Sequence, residues 1–332
     1  MKRRFGLQRA GPRNRSDQRA ELLLGALACV VLALIAGMII FVFQKAWPSF
    51  EANGLAWFGS GGNVDDQLEA IFRSPADNPD LTIRAWPLLW ATIVITGASV
   101  VIGVVFALLS AMFIVEFAPE AIRRLLEPVV RLLAAVPSVI YGLIGILVLV
   151  PFLDEHIISE DAKQSVAGVL ALNGESIGVG ILILTVMITP IMIAIVVDAL
   201  RAVPTSWSEG ALSLGINRWR ALWTVTVRAA RPAIVAAAVL ATARALGEAI
   251  MLAMVTGSLA FSPNPIDGLV FWFEPARPLA ASIVQYSEGL SAEPLAQTMY
   301  AFAAVLLVSA AFLSFTGWYI RRRLRRYSLT AI

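Results

Sequence analysis

Cysteine, histidine and lysine are nearly absent from this chain of 332 residues, and each scarcity removes a class of function. The single cysteine, Cys29, lies inside an apolar run. No intrachain disulfide can form, and a small buried apolar role is expected there. The single histidine, His156, cannot build a histidine-based metal site, and the sequence holds no Cys/His cluster. None of the lysines, Lys2, Lys45 and Lys163, follows a glycine, so there is no G-x-x-x-x-G-K-[S/T] phosphate loop. If ATP powers this chain, another polypeptide binds it. Charge is scarce as well, at 15% of residues against 58% hydrophobic ones. Soluble domains are about a quarter charged. With a mean hydropathy of +0.78 the expected class is an all-α integral membrane protein.

What is present is a series of apolar runs. A basic arm, residues 1–21, carries seven Lys/Arg and precedes a first span at Leu22–Phe43. That run is 22 residues, about 33 Å as a helix, which matches a bilayer core and exceeds a signal-peptide core. A polar excursion, 44–87, holds Asp65, Asp66, Glu69, Asp77 and Asp80 among glycines and prolines, with a short helix expected near Asp65–Phe72. Further spans are expected at Leu88–Val115, Leu132–Phe152, Ile177–Ala199, Ala233–Val255 and Met299–Ile320, followed by a basic tail, 321–332. An outer segment, 256–298, is too rich in proline to cross, though Leu279–Glu288 fits a short amphipathic helix.

Lys and Arg set the orientation. Seven lie in the arm, three in 116–131, five in 200–232 and five in the tail, all on one side; the opposite side holds only Lys45, Arg73, Arg84, Lys163 and Arg277. This bias predicts six spans with both termini in the cytoplasm. A basic arm beside a span is read as an orientation signal or a lipid contact, and no nucleic acid is expected as a partner.

Two stretches carry chemistry. The first is the cytoplasmic segment 200–232, about thirty residues between two spans and longer than a turn requires. It has Arg218, Arg220, Arg228 and Arg231 but one acid after Pro204, Glu209. Leu212, Ile216, Trp219 and Trp223 recur at three- and four-residue spacing, as on one helical face. Such a segment either lies on anionic lipid or docks a partner. The second is Arg244 and Glu248, the ionisable residues well inside an apolar span. At i and i+4 they would share one helix face. Each charge at mid-bilayer costs about 2.5–3.5 kcal/mol on insertion scales, so both must face protein or water. They are either a structural ion pair or part of an anion path, in which the planar donor fork of arginine meets an oxyanion. Pro137 in the expected third span is either a kink, its freed carbonyl met by a hydroxyl such as Ser138, or, with Ser138 and Tyr141, a shaping element of that path.

The order Glu209-Gly210-Ala211, three residues, then Gly215 resembles the cytoplasmic EAA loop of ATP-binding-cassette (ABC) importer permeases, with Gly210 in place of the first alanine. Arg244-Ala245-Leu246-Gly247-Glu248 resembles the R-A-[I/L]-G-E segment of phosphate-specific ABC permeases. Ala135-Val136-Pro137-Ser138-Val139-Ile140-Tyr141-Gly142 and Glu116-Phe117-Ala118-Pro119 are similar to two further segments of that family. The likeness covers Leu88 to Gly257, and the long first outer loop favours the C-type subunit. The resemblance implies a type I importer fold and inward transport of inorganic phosphate. It implies a sister permease in a heterodimer, a dimer of ATP-binding subunits that hold ATP and Mg, and an extracytoplasmic phosphate-binding protein. By the same resemblance Glu209, Gly210, Ala211, Gly215, Arg218 and Arg220 form the ATPase-coupling loop. This chain is then not an enzyme and binds no cofactor or metal. Phosphonate, molybdate or sulfate remain alternative cargoes. An ion-coupled secondary transporter and a membrane enzyme or scaffold remain the other classes, although no inverted repeat or nucleophile–base set is evident.

Overall fold

The computed structural model describes residues 15–75, 77–166, 171–260 and 262–325. Most of the basic arm and the end of the basic tail lie outside the described residues. The regular elements among the described residues are all helical, apart from one isolated bridge, Gly257 to Ala276. In order the helices are α1 (Arg15–Asn53), α2 (Val64–Arg73), α3 (Trp86–Met112), α4 (Glu120–Ala135), α5 (Ser138–Ile144), α6 (Val150–His156), α7 (Glu160–Val166), α8 (Ile177–Arg201), α9 (Thr205–Ser213), α10 (Arg218–Ala221), α11 (Val227–Leu246), α12 (Ile250–Val255), α13 (Leu279–Gln285) and α14 (Glu293–Arg325). Wider π-helical turns extend α3 through Phe113–Phe117, join α5 to α6 through Gly145–Leu149, and join α10 to α11 through Leu222–Thr226.

Among the described residues six helical stretches are long and apolar enough to cross a membrane, the number that the apolar runs predict. The fourth is central: 67% of its most apolar window is buried inside the protein, against 0% for the first. Helix α8 therefore forms the middle of the bundle, while α1 leans on α14 at the edge. Hydroxyls knit α8 to α3, where no water competes. Ser99 Oγ donates to the Ile181 carbonyl at 3.0 Å.

Three expectations about the spans need correction. The third span does not run from Leu132 through a kink; it starts at Ser138, and Leu132–Ala135 end a separate amphipathic helix, α4. Pro137 precedes the first residue of α5, where a missing N–H costs nothing and the fixed φ, here −58°, suits a helix start. The fifth span does not begin at Ala233. Its helix begins in the cytoplasmic segment at Arg218 and breaks at Gly247, so α12 is a separate short helix.

Two apolar clusters result. The larger lies within the bundle and includes Ile95, Leu184, Met187, Ala241, Met251 and Val255. The smaller lies toward the outer side, where Trp57, Leu68, Ile71 and Ile83 of the outer excursion pack on Leu279 and Phe302. The excursion is thus a folded cap with its own core.

Candidate functional site

The cytoplasmic segment is a helical hairpin. Helix α9 carries Glu209, Gly210 and Ala211, and the chain then reverses at Gly215, whose φ of +80° suits a residue without Cβ. Gly215 N–H donates to Leu212 O at 2.9 Å, Ile216 N–H to Ala211 O at 3.3 Å, and the next helix is capped by Asn217, whose Oδ1 accepts from Arg220 N–H at 2.8 Å. The expected single stripe through Leu212, Ile216, Trp219 and Trp223 is therefore split by the turn, with Ile216 in it. Ala211, Ala221 and Leu222 are buried between the arms. Around the tip, Trp207, Leu212, Leu214 and Trp219 are exposed, Leu214 at 82%, beside exposed Glu209, Gly210, Arg218 and Arg220. An apolar patch rimmed by charge on a membrane protein's water-facing side marks a protein contact.

The hairpin is tied to the ends of the spans. Arg218 Nε donates to Glu116 Oε1 at 2.7 Å, at the end of the second span, and its guanidinium stands 5.9 Å from the Phe117 ring. Arg123 donates through Nε to Ile114 O at 3.1 Å and through a terminal nitrogen to Val115 O at 3.2 Å, satisfying carbonyls in the π turn there. Arg201, at the end of α8, makes two hydrogen bonds to Glu127 of α4. The guanidinium of Arg201 holds the Glu127 carboxyl below the usual range.

The break in the fifth span organises the second region. Arg244 occupies the last turn of α11, where a cation complements the helix dipole, and its side chain is exposed. Gly247 ends the helix, so Arg244 and Glu248 do not share a continuous helical face, and among the described residues no ion pair joins them. Glu248 is buried, and its Oε1 accepts from Met251 N–H at 3.4 Å, within the first turn of α12. Helix α12 packs on α5, which carries buried Tyr141, so the third-span start and the fifth-span break come together. Close contact between α5 and α12 depends on Gly142, where a Cβ would meet Met251 Cα at 3.2 Å. Ser138 is half-buried and Pro137 exposed. The hydroxyl that closes the break at Pro137 belongs to Tyr141, which donates to Leu133 O at 3.0 Å, and not to Ser138. Tyr141→Phe should therefore lower stability by about 0.5–1.5 kcal/mol, one neutral hydrogen bond, and leave transport intact. A thermal melt and an uptake assay check this; lost transport at unchanged stability would mean that the hydroxyl itself meets cargo.

A cavity of about 530 Å³ opens beside Gly247 between α1, α11 and α14, but Ile35, Met38, Val42 and Leu306 line it and offer an anion no donor. Sequence reasoning missed a third charged centre, Arg277, which is 1% exposed and bonded to Asp65 of α2. Its only sequence signal is an arginine between prolines in an apolar stretch, Glu274-Pro275-Ala276-Arg277-Pro278.

Six candidate spans, a basic hairpin between the fourth and fifth and a cation at a helix break are the features that a transport permease would combine. Residues 99–326 match the family described as binding-protein-dependent transport system inner membrane component, and the chain belongs to that family. It is a multi-pass protein of the bacterial inner membrane. It is 32% identical over 256 residues to the probable ABC transporter permease protein YqgH of Bacillus subtilis (strain 168), covering 77% of this chain and 76% of that one. It is 30% identical over 339 residues to the phosphate transport system permease protein PstC 1 of Mycobacterium bovis (strain ATCC BAA-935 / AF2122/97), covering 98% of each. The fold is that of a chain in the inward-facing MetNI methionine ABC transporter, with a TM-score of 0.52 at 20% identity over 72% of this chain and 96% of the other.

Proposed function

We propose that this chain is the permease subunit of an ABC importer that carries inorganic phosphate into the cell. The observation that carries the cargo class is Arg244, a cation exposed at a break in the fifth span and without an ion-pair partner among the described residues. Its fork of donors suits a tetrahedral oxyanion, and Glu248 close by keeps the field from holding the anion too tightly to release. The name of the Mycobacterium bovis relative, a phosphate transport system permease, supports phosphate among oxyanions. The path runs through Arg244 and Glu248, with Pro137, Ser138 and Tyr141 shaping its wall.

ATP and Mg are held and hydrolysed by a partner subunit dimer, because this sequence has no phosphate loop. The exposed hairpin tip, Glu209 to Arg220, is where those subunits engage. A sister permease completes a heterodimer, an extracytoplasmic phosphate-binding protein docks outside, and lipid surrounds the rest. Vesicles containing this chain and its partners should take up labelled phosphate only with ATP, and excess sulfate or molybdate should not compete. Uptake of another oxyanion would keep the class and discard phosphate; uptake that follows an ion gradient and ignores ATP would mean a secondary transporter.

A further inference from the structure

Arg277 lies between the two apolar clusters. Ala276 belongs to the bundle cluster and Leu279 to the outer one. A guanidinium buried to 1% exposure is costly unless its donors are met. One terminal nitrogen donates to Ser258 O at 3.1 Å and to Gln285 Oε1 at 3.2 Å, and the other donates to Asp65 Oδ1, while the buried Nε has no hydrogen-bond partner among the described residues. The guanidinium carbon also stands 5.5 Å from the Tyr286 ring centre. Tyr286 hydroxyl donates to the same Asp65 oxygen at 3.2 Å, and burial pushes its phenol up, so that it remains a donor. Ala260 N–H adds a longer bond to Asp65 Oδ2 at 3.4 Å.

These partners come from three places in the chain. Asp65 opens α2 in the outer cap, Gln285 and Tyr286 end α13, and Ser258 follows the exit of α12. The α12 exit is held firmly: Val255 O accepts from Ser176 N–H at 3.0 Å and Thr256 O from Ala276 N–H at 2.7 Å. Ser258 itself has a φ of +50°, a left-handed conformation that a serine keeps only when its surroundings impose it. Its carbonyl is one of the oxygens that Arg277 holds. Helix α12 begins two residues after Glu248 and packs on α5.

We infer that the Asp65–Arg277 pair is a coupling node, which fastens the outer cap to α12 and so makes a partner seated on the outer face act on the break at Arg244 and Glu248. This rests on the reading of the chain as a binding-protein-dependent importer. Asp65 and Arg277 are positioning residues, since they reach the break only through α12. Apolar packing, the Tyr286 hydroxyl and the Lys45–Glu293 pair join the cap to α13 and α14; the Asp65–Arg277 node adds the link to the fifth span.

The test uses the assembled transporter in nanodiscs and reads ATP hydrolysis with and without phosphate-loaded binding protein, together with amide hydrogen exchange. Asp65→Asn should cut the stimulated rate roughly tenfold, within the range of allosteric couplings, at an unchanged basal rate. Exchange at Ile250–Val255 should rise while α8 stays protected. Asp65→Glu, which restores the carboxylate, should recover part of the stimulation. Wild-type stimulation and wild-type exchange in Asp65→Asn would overturn the inference. If that variant does not assemble, Tyr286→Phe, which removes one hydroxyl, is read in its place: reduced stimulation with faster α12 exchange supports the node, and unchanged values overturn it. A wild-type transporter that ignores the binding protein would defeat the functional reading, while the exchange comparison would still decide whether Asp65 holds α12.

Discussion

Vesicles carrying Arg244→Gln should insert and assemble normally yet transport phosphate roughly 10- to 150-fold more slowly. The range follows from losing one hydrogen bond to a charged group, about 1.5–3 kcal/mol, at about 1.4 kcal/mol per tenfold in rate. Assembly should not suffer, because the arginine side chain is exposed and makes no ion pair among the described residues. Glutamine also enters a membrane span more easily than arginine does. Arg244→Lys should fall between the two, since it keeps the charge and loses the planar fork. The check is initial uptake normalised to the amount of assembled complex. Uptake within twofold of wild type in Arg244→Gln would remove this residue from the path.

Gly215→Val should release the ATP-binding subunits while leaving the spans in place. No atom stands within 4 Å of a Cβ at Gly215, so the substitution clashes with nothing. The difficulty is the backbone: at a φ of +80° a β-branched residue is strained by about 1–2 kcal/mol. The tip can relieve that strain only by changing the angle between α9 and α10, which moves Leu214 and Trp219 away from any surface shaped to receive them. Gly210→Ala is the matching control. Gly210 lies inside α9 with open space around it, so alanine should stabilise that helix by roughly 0.5–1 kcal/mol. Co-purification of the ATP-binding subunits reads both. Undiminished retention in Gly215→Val would count against docking at this tip.

The number of spans was legible because each apolar run is about as long as a bilayer is thick, and little else produces such runs. Their ends were less legible. Leu132–Ala135 merged with Val139 and Ile140 into one apolar run, since hydropathy cannot tell an amphipathic helix that abuts a span from the span itself. The helical period is present in Ile122, Leu125, Val129 and Leu132, but Arg123, Arg124 and Arg131 give the same stretch the composition of a polar connection. The helix break at Gly247 was hidden for a different reason. Residues 244–248 have good helix formers on either side of one glycine, and only the packing of α12 on α5 decides against a continuous helix. The residues of the motifs were found, but their relation was not: Arg244 and Glu248 are neighbours at a break and not partners on a face. Arg277 was out of reach altogether, because its partner Asp65 is separated by 212 positions and nothing local links them.

The π-helical turns at Phe113–Phe117, Gly145–Leu149 and Leu222–Thr226 mark places where the chain holds one residue more than an α-helical path needs. Elsewhere in a span, dropping one residue turns everything beyond it by about 100° and misdirects every side chain. Within these three turns the same deletion closes the helix to ordinary pitch. They are spare links, where this chain could lose one residue and keep its spans in register.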